Sequence, residues 1–469
     1  MGSAIKRAGK WWMALAAAVL PAVLCGQQVE YERFVMPSGL RVLVHPDHRS
    51  PVVSVALLYR SGLNDEPSTL AGVNRVVAGM LTESTRHLSP GEYRSILDTY
   101  GGETSVEVGS DVVFFSDSFS SNMLKGAIWL ASERAYGFRE DTAAYRQVLG
   151  HIRREDAARS EDLSGREDEA LREMVRTVNL RLVPEVAALD SGMTMQAAKA
   201  YESLYFSPKK AVLAVSGDVH PDSVRKYVVE MFSLLPPDTV QVELNPTVFS
   251  VGDAVADTVV LSDGKAVDVG GGILTTVEQK RHSDTLFVEQ GTSSVVFAWQ
   301  VLPYSDHQFG VFDFIGTVLA APDGSRLSRR LVEEEGIATE VGYKVLPMER
   351  ASVFAVKVSL KPGGDISQVE KVVREELERM KNFDISPAEL TKALNTARMS
   401  AWEYISSNQG MALTLALNES LFGDAGQFNR RMEQLLEYTQ EDVRTVVRRF
   451  LRNDNMKTIY ELPPSQGTD

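Results

Sequence analysis

Apolar and polar positions in this chain fall into alternating runs of strand and helix character. Val52 to Tyr59 is an apolar run of strand length, and the turn-rich stretch Arg60 to Ser68 follows it. In Leu70 to Thr82, Val73, Val76, Val77 and Met80 recur at helical spacing, which predicts a buried helix after a sheet strand. Upstream, Tyr31, Phe34 and Val35 lead into Pro37-Ser38-Gly39, and Leu40 to Val44 alternates, as an edge strand and hairpin would. Downstream, Ser89 to Tyr100 is predicted helical, with Ser89 as cap, Pro90 at the first helical position, Glu92 three residues after the cap and Gly101-Gly102 as the stop. A strand over Val112 to Phe119 and helices over Met123 to Ala135, Asp141 to Ala158 and Met193 to Leu204 come next. A strand over Ala211 to Val215 and a helix over Pro221 to Leu235 close the first half.

The second half repeats this order: a strand at Ser293 to Pro303, a helix at Phe309 to Leu319 and a strand at Ser352 to Leu360. Helices at Val369 to Met380 and Pro387 to Gly423 follow, the latter broken near Ser407. The segment Met193 to Phe206 parallels Tyr438 to Leu451 without gaps, and each runs through a turn into a strand, the second at Met456 to Glu461. Such self-similarity points to duplication of a whole α+β unit. The expected organisation is a first domain over 27–236, a linker over 237–282 with room for a hairpin insert, and a second domain over 283–469.

Composition narrows the function. A chain of 469 residues exceeds one ordinary core, and its 44% hydrophobic and 24% charged content is that of a globular protein. A formal charge of −14 argues against nucleic acid as a partner, since the electrostatic term driving such binding would be repulsive. Lys6, Arg7 and Lys10 precede an apolar run from Trp11 to Leu24, as in a secretory signal peptide over 1–26. That run is short for a membrane span, and no later segment is long and apolar enough for one. The expectation is export to the periplasm or cell envelope. Cys25 offers a second outcome, lipid anchoring at a new N-terminus, although Leu24 stands where that signal wants a small residue. Cys25 is the only cysteine, so a chain cleaved after it has no disulfide and no thiol chemistry.

The stretch "MPSGLRVLV", the Gly-Gly after Tyr100, and Tyr205-Phe206-Ser207-Pro208 running into Ser216-Gly217-Asp218 together resemble the insulinase-like, or pitrilysin (M16), metallopeptidase family in its bacterial two-domain form. The resemblance covers about Tyr31 to Leu462. It implies an α+β fold of two homologous domains, each a mainly antiparallel sheet covered by helices, arranged as a clamshell. In that family the helix at Leu70 to Thr82 reads Gly-x-Ala-His-Phe-x-Glu-His-Met. Two His one turn apart bind zinc and the Glu activates water. Here Gly72 and Met80 match, but Arg75, Ala78 and Gly79 occupy the positions of the first His, the Glu and the second His. Glu155 occupies the third ligand position, and Val148 that of an auxiliary acid. Ser105 replaces an Asn that holds substrate backbone, and Val332 and Thr339 replace an Arg and a Tyr that stabilise the scissile carbonyl.

A single carboxylate does not make a zinc site, so no metal or other cofactor is expected. A carboxylate stripped of its metal needs another partner, which predicts a pair between Arg75 and Glu155. His151 and Glu155 at i,i+4 read as a solvated helix face rather than half of a new metal site, and His45 and His48 as a surface turn. Glu333-Glu334-Glu335 reads as an exposed helix end, and Gly270-Gly271-Gly272 as a turn. The reading is of a non-catalytic M16 homologue of the bacterial envelope. Its expected partner is an active M16 zinc-peptidase subunit, or further copies of itself, enclosing a peptide-binding chamber. Two alternatives stand beside it: a stand-alone peptide-binding or structural module, and an active zinc endopeptidase with a displaced site.

Overall fold

A computed structural model describes residues 28–67, 70–175, 193–236, 258–260, 266–268, 283–287 and 293–462. The expected signal peptide, Cys25 and most of the expected linker lie outside them.

Thirteen strands are described: β1 (Glu32–Val35), β2 (Arg41–Pro46), β3 (Val52–Tyr59), β4 (Glu103–Val108), β5 (Val113–Ser120), β6 (Ala211–Gly217), β7 (Thr258–Val260), β8 (Ala266–Asp268), β9 (Ser283–Phe287), β10 (Ser294–Val301), β11 (Ala338–Leu346), β12 (Ser352–Leu360) and β13 (Met456–Leu462). They form two mixed sheets, in the orders β1-β2-β6-β3-β5-β4 and β11-β12-β10-β13-β9, and a small antiparallel pair, β7 with β8. Within the expected linker, only that pair is described.

The two large sheets share one plan. Outward from β3 on one side lie β5 and β4; outward from β10 lie β12 and β11. On the other side β6 and β2 match β13 and β9, and among the described residues the only parallel pairings, β2 with β6 and β13 with β9, fall in the same place. Among the strands described in the two large sheets, only β1 lacks a counterpart. This α+β architecture is the one the sequence repeat implies.

The central strand β3 is buried on both faces, which explains its unbroken apolar run. Val53, Val55, Leu57 and Tyr59 pack in one core with Val73, Val76, Val77 and Met80 of the Val73–Glu83 helix. Ala56 and Leu58 share the other face with Leu43, Val212 and Ala214. That second face is covered from the far end of the chain: Met411, Ala412, Leu415 and Ala416 of the Asn408–Phe422 helix close it. The exchange is reciprocal. Leu171, Met174 and Val175, at the end of the Leu163–Glu173 helix, pack on Val296, Ala298, Val353, Ala355 and Ile459 of the second sheet. Each buried aliphatic side chain contributes roughly 1.5–3 kcal/mol, so the two halves hold each other's sheets closed. A polar lock joins them too: the fully buried carboxylate of Glu419 accepts from Arg33 at 3.0 Å and lies 3.7 Å from Arg41.

Several local expectations shift. Ser89 does not cap a helix; the helix runs Glu92–Tyr100 behind Gly91, whose φ of 82° is left-handed. The Glu92 carboxylate instead accepts from the Ser89 amide at 2.6 Å. Glu333-Glu334-Glu335 do stand exposed at a helix end, but that helix, Ser328–Glu334, is π-helical. The helices Leu163–Glu173 and Gln427–Glu437 were not expected. The long C-terminal helix divides at Ser407, as expected; Ser407 Oγ accepts from the Gly410 amide at 3.0 Å and caps the second piece.

Candidate functional site

The Val73–Glu83 helix is held by its first turn. Glu66, buried beneath it, accepts from the Gly72 amide at 2.7 Å and the Asn74 amide at 2.9 Å. Both are donors that the helix start leaves unmet, and a carboxylate there also complements the helix dipole. The Asn74 side chain, fully buried, donates to Glu66 at 3.1 Å and to the Gly62 carbonyl at 2.8 Å. Its Oδ1 accepts from Ser61 Oγ at 3.0 Å. Tyr201 Oη lies 3.1 Å from the Asn74 amide nitrogen, and burial pushes the Tyr201 phenol well above the usual tyrosine range. This network fixes the helix against the Met195–Tyr205 helix. None of it was singled out from the sequence, because neither Glu66 nor Asn74 stands at a ligand or base position of the resembled metal motif.

The helix then faces the Thr142–Glu161 helix, which carries Glu155. Arg75 is buried, and its Nη2 donates to Glu155 Oε2 at 3.2 Å. Its Nη1 donates to Asp156, which is buried as well. Asp156 was missed by the sequence reading; the signal available was its place beside Glu155. Glu155 itself is half-exposed, and its Oε1 lies 3.2 Å from Nδ1 of His151, one turn back on the same helix. The guanidinium thus bridges two carboxylates, with the more buried one, Asp156, the partner that most needs it.

The position of the second family His is closed rather than merely empty. A Cβ built on Gly79 would lie 2.6 Å from Val148 Cγ1, so the methyl groups of Val148 occupy the space a side chain at 79 would need. Ala78 is buried and carries no group that could take a proton.

These residues do not fit a catalytic zinc. Of four metal-motif positions only Glu155 carries a ligand atom, and a fixed positive charge stands against it where a His would be. Among the described residues, no three His, Cys, Asp or Glu side chains come together as a metal site.

The other singled-out positions lie apart from this cluster. Ser105 stands on β4 opposite Ser116, half-buried, on a strand that borders the Val73–Glu83 helix. Val332 packs against the core of the second half. Thr339 sits at the β-bulge in β11 and donates to the Ser359 carbonyl at 3.2 Å. His45 Nδ1 is 2.7 Å from the Glu30 carbonyl, and His48 Nδ1 is 2.6 Å from Asp218, both at the surface. No helix among the described residues is long and apolar enough to cross a membrane.

Residues 192–397 match the family described as the peptidase M16 inactive domain. That span begins after Glu155, so the word "inactive" there does not refer to the Arg75 cluster. A Helicobacter pylori protein named zinc protease PqqE is 21% identical over 448 residues, covering 92% of this chain and 93% of the relative. The crystal structure of a protease from Helicobacter pylori matches with a TM-score of 0.78 and 18% identity, covering 93% of this chain and all of that one. The structure of a peptidase M16 inactive domain from Pseudomonas fluorescens matches with a TM-score of 0.74 and 17% identity, over 92% of this chain and 98% of that one. The likeness to the M16 peptidases is thus shown, in sequence over residues 192–397 and in fold over nearly the whole chain.

Proposed function

We propose that this chain is a non-catalytic M16-type subunit, exported to the bacterial cell envelope, that completes a peptide-binding chamber with an active zinc-peptidase partner. The observation that carries the reading is the bridge from Arg75 to Glu155 and Asp156. A guanidinium at the first ligand position supplies the positive charge a metal would otherwise bring, and Val148 fills the second position. The cluster is consistent with a helix pair kept for its shape after loss of its chemistry.

The reading rests on two halves, 27–236 and 283–469, joined by 237–282. It assigns to Arg75, Glu155 and Asp156 the structural task of joining two helices. The name zinc protease carried by the Helicobacter pylori relative would then describe the kind of subunit this chain accompanies.

The test is metal analysis and a peptidase assay on the purified chain, alone and mixed with an M16 subunit bearing an intact His-x-x-Glu-His helix from the same genome. The chain alone should hold no stoichiometric zinc and cleave nothing, and the mixture should cleave peptides faster than the partner alone. Chelator-sensitive hydrolysis by the isolated chain would instead support a displaced metal site. A stable monomer that binds peptide and leaves the partner's rate unchanged would support a stand-alone binding module.

A further inference from the structure

A cavity of about 670 Å³ lies where the two halves meet, within the range of about 300–1,000 Å³ typical of small-molecule sites. The first half contributes Leu58 and Phe114 to its wall; the second contributes Phe309, Tyr343, Leu417 and Tyr438. The body of the cavity is therefore apolar and aromatic. It is separate from the Arg75 cluster, none of whose residues lines it.

Into this wall the Val311–Ala320 helix places Asp313, in its first turn. Three polar side chains whose charges act with that of Asp313 have contacts of their own. Arg431 donates to the Tyr304 carbonyl at 2.6 Å, and its guanidinium stacks 3.7 Å from the centre of the Tyr304 ring. Tyr438 Oη donates to the His307 carbonyl at 2.6 Å. Tyr343 Oη lies 3.4 Å from Thr317 Oγ1. The Asp313 carboxylate has no hydrogen-bond or ion-pair partner among the described residues. Burial raises its carboxyl to about 6, and the nearby Arg431 charge only partly opposes this. By accessible surface Asp313 is half-buried, and its carboxylate, without a hydrogen bond from the protein, is open to a ligand in the cavity. The remaining charges lining the cavity are mostly acidic: Glu107, Asp111, Asp306 and Glu349, against Arg172 and Arg431.

We propose that this cavity binds a small organic cation, a protonated amine or guanidinium on an aromatic or branched apolar body, with Asp313 as its counter-ion. The apolar wall takes the body, and the Asp313 carboxylate, which accepts no hydrogen bond from the described residues, takes the charge. This does not depend on the companion-subunit reading. The cation could belong to a free small molecule or to a basic side chain of a peptide, and the two are separable by experiment.

The test is calorimetric titration of the full mature chain with phenethylamine, with its neutral counterpart 2-phenylethanol, and with capped Phe-Lys. Phenethylamine should bind at least about tenfold more tightly than 2-phenylethanol, and Asp313→Asn should abolish that preference. A second measurement needs no variant at Asp313: in the unmodified protein, phenethylamine affinity should fall several-fold from pH 7.5 to pH 5 while that of 2-phenylethanol stays level. His307→Gln, which removes the imidazole lining the cavity, should keep that pH dependence. Capped Phe-Lys binding with the same Asp313 dependence identifies a peptide source, and its failure where phenethylamine succeeds identifies a free amine. Equal affinity for amine and alcohol, a preference that survives Asp313→Asn, or no binding of either at millimolar concentration overturns the proposal.

Discussion

Val148 and Gly79 are complementary: the valine methyls stand 2.6 and 3.3 Å from where a Cβ on the glycine would be. One residue is small because the other is branched and buried. The pair seals two helices together at a position where the resembled family places a metal ligand.

Gly79→Ala tests this directly. A helical Gly→Ala change ordinarily gains about 1 kcal/mol, but here the new methyl meets a β-branched side chain with little rotamer freedom. A net loss of about 1 kcal/mol is expected. Val148→Ala alone should cost about 2 kcal/mol. In the double variant the costs should fall short of their sum by about 1–2 kcal/mol, read from denaturant unfolding. Strict additivity would show that the two side chains do not share the space.

The two carboxylates facing Arg75 should differ in consequence. Arg75→Met strands the buried Asp156, and a loss of about 3 kcal/mol is expected. Adding Asp156→Asn should recover a large part of it. Glu155→Gln should cost less than about 1 kcal/mol, because Glu155 is half-exposed and solvent screens its attraction. Melting temperatures of the four proteins rank these effects; a larger loss for Glu155→Gln than for Arg75→Met would reverse the assignment.

Asp313 gives a pH dependence of defined sign. Its carboxyl is raised from an ordinary 3.8 to about 6 in the fold, so the folded state binds the proton more tightly than the unfolded state. Its contribution to stability is fully present below pH 3.8 and is lost as the pH rises through about 6. Asp313→Asn should therefore be more stable than the parent at pH 7.5, by on the order of 2 kcal/mol. The advantage should shrink as the pH falls below 6. A difference that does not vary with pH would show that the carboxylate is not the cause.

Glu419→Ala tests the joint between the halves. Glu419 is fully buried and reaches Arg33 and Arg41 across it. Burial lowers the Arg41 pKa, an effect the Glu419 charge opposes. Losing the carboxylate should cost about 3 kcal/mol. Hydrogen exchange should rise first in β1, β2 and the Asn408–Phe422 helix. Uniform loosening of both halves would argue against a local lock.

Periodicity and the internal repeat made much of the fold legible. The apolar run of β3, the helix behind it and the later copy of both are consequences of local pattern, and each appears within three residues of its expected ends. The closeness of Arg75 to Glu155 was expected from a resemblance and a charge argument. Asp156 was not, because adjacent residues on a helix point about 100° apart, and only the packing of the Thr142–Glu161 helix turns both toward one guanidinium.

The amino-acid order by itself determined which segments form strands and helices, that an α+β unit occurs twice, and which side chains stand where a metal motif would be. The tertiary structure alone decided which helix covers which sheet. An apolar stripe records that a face must be buried but not against what, so the exchange of the Asn408–Phe422 and Leu163–Glu173 helices between halves is invisible in sequence. The same holds for Val148 against Gly79 and for Asp313 beside the cavity: each is a relation between distant segments, set by packing.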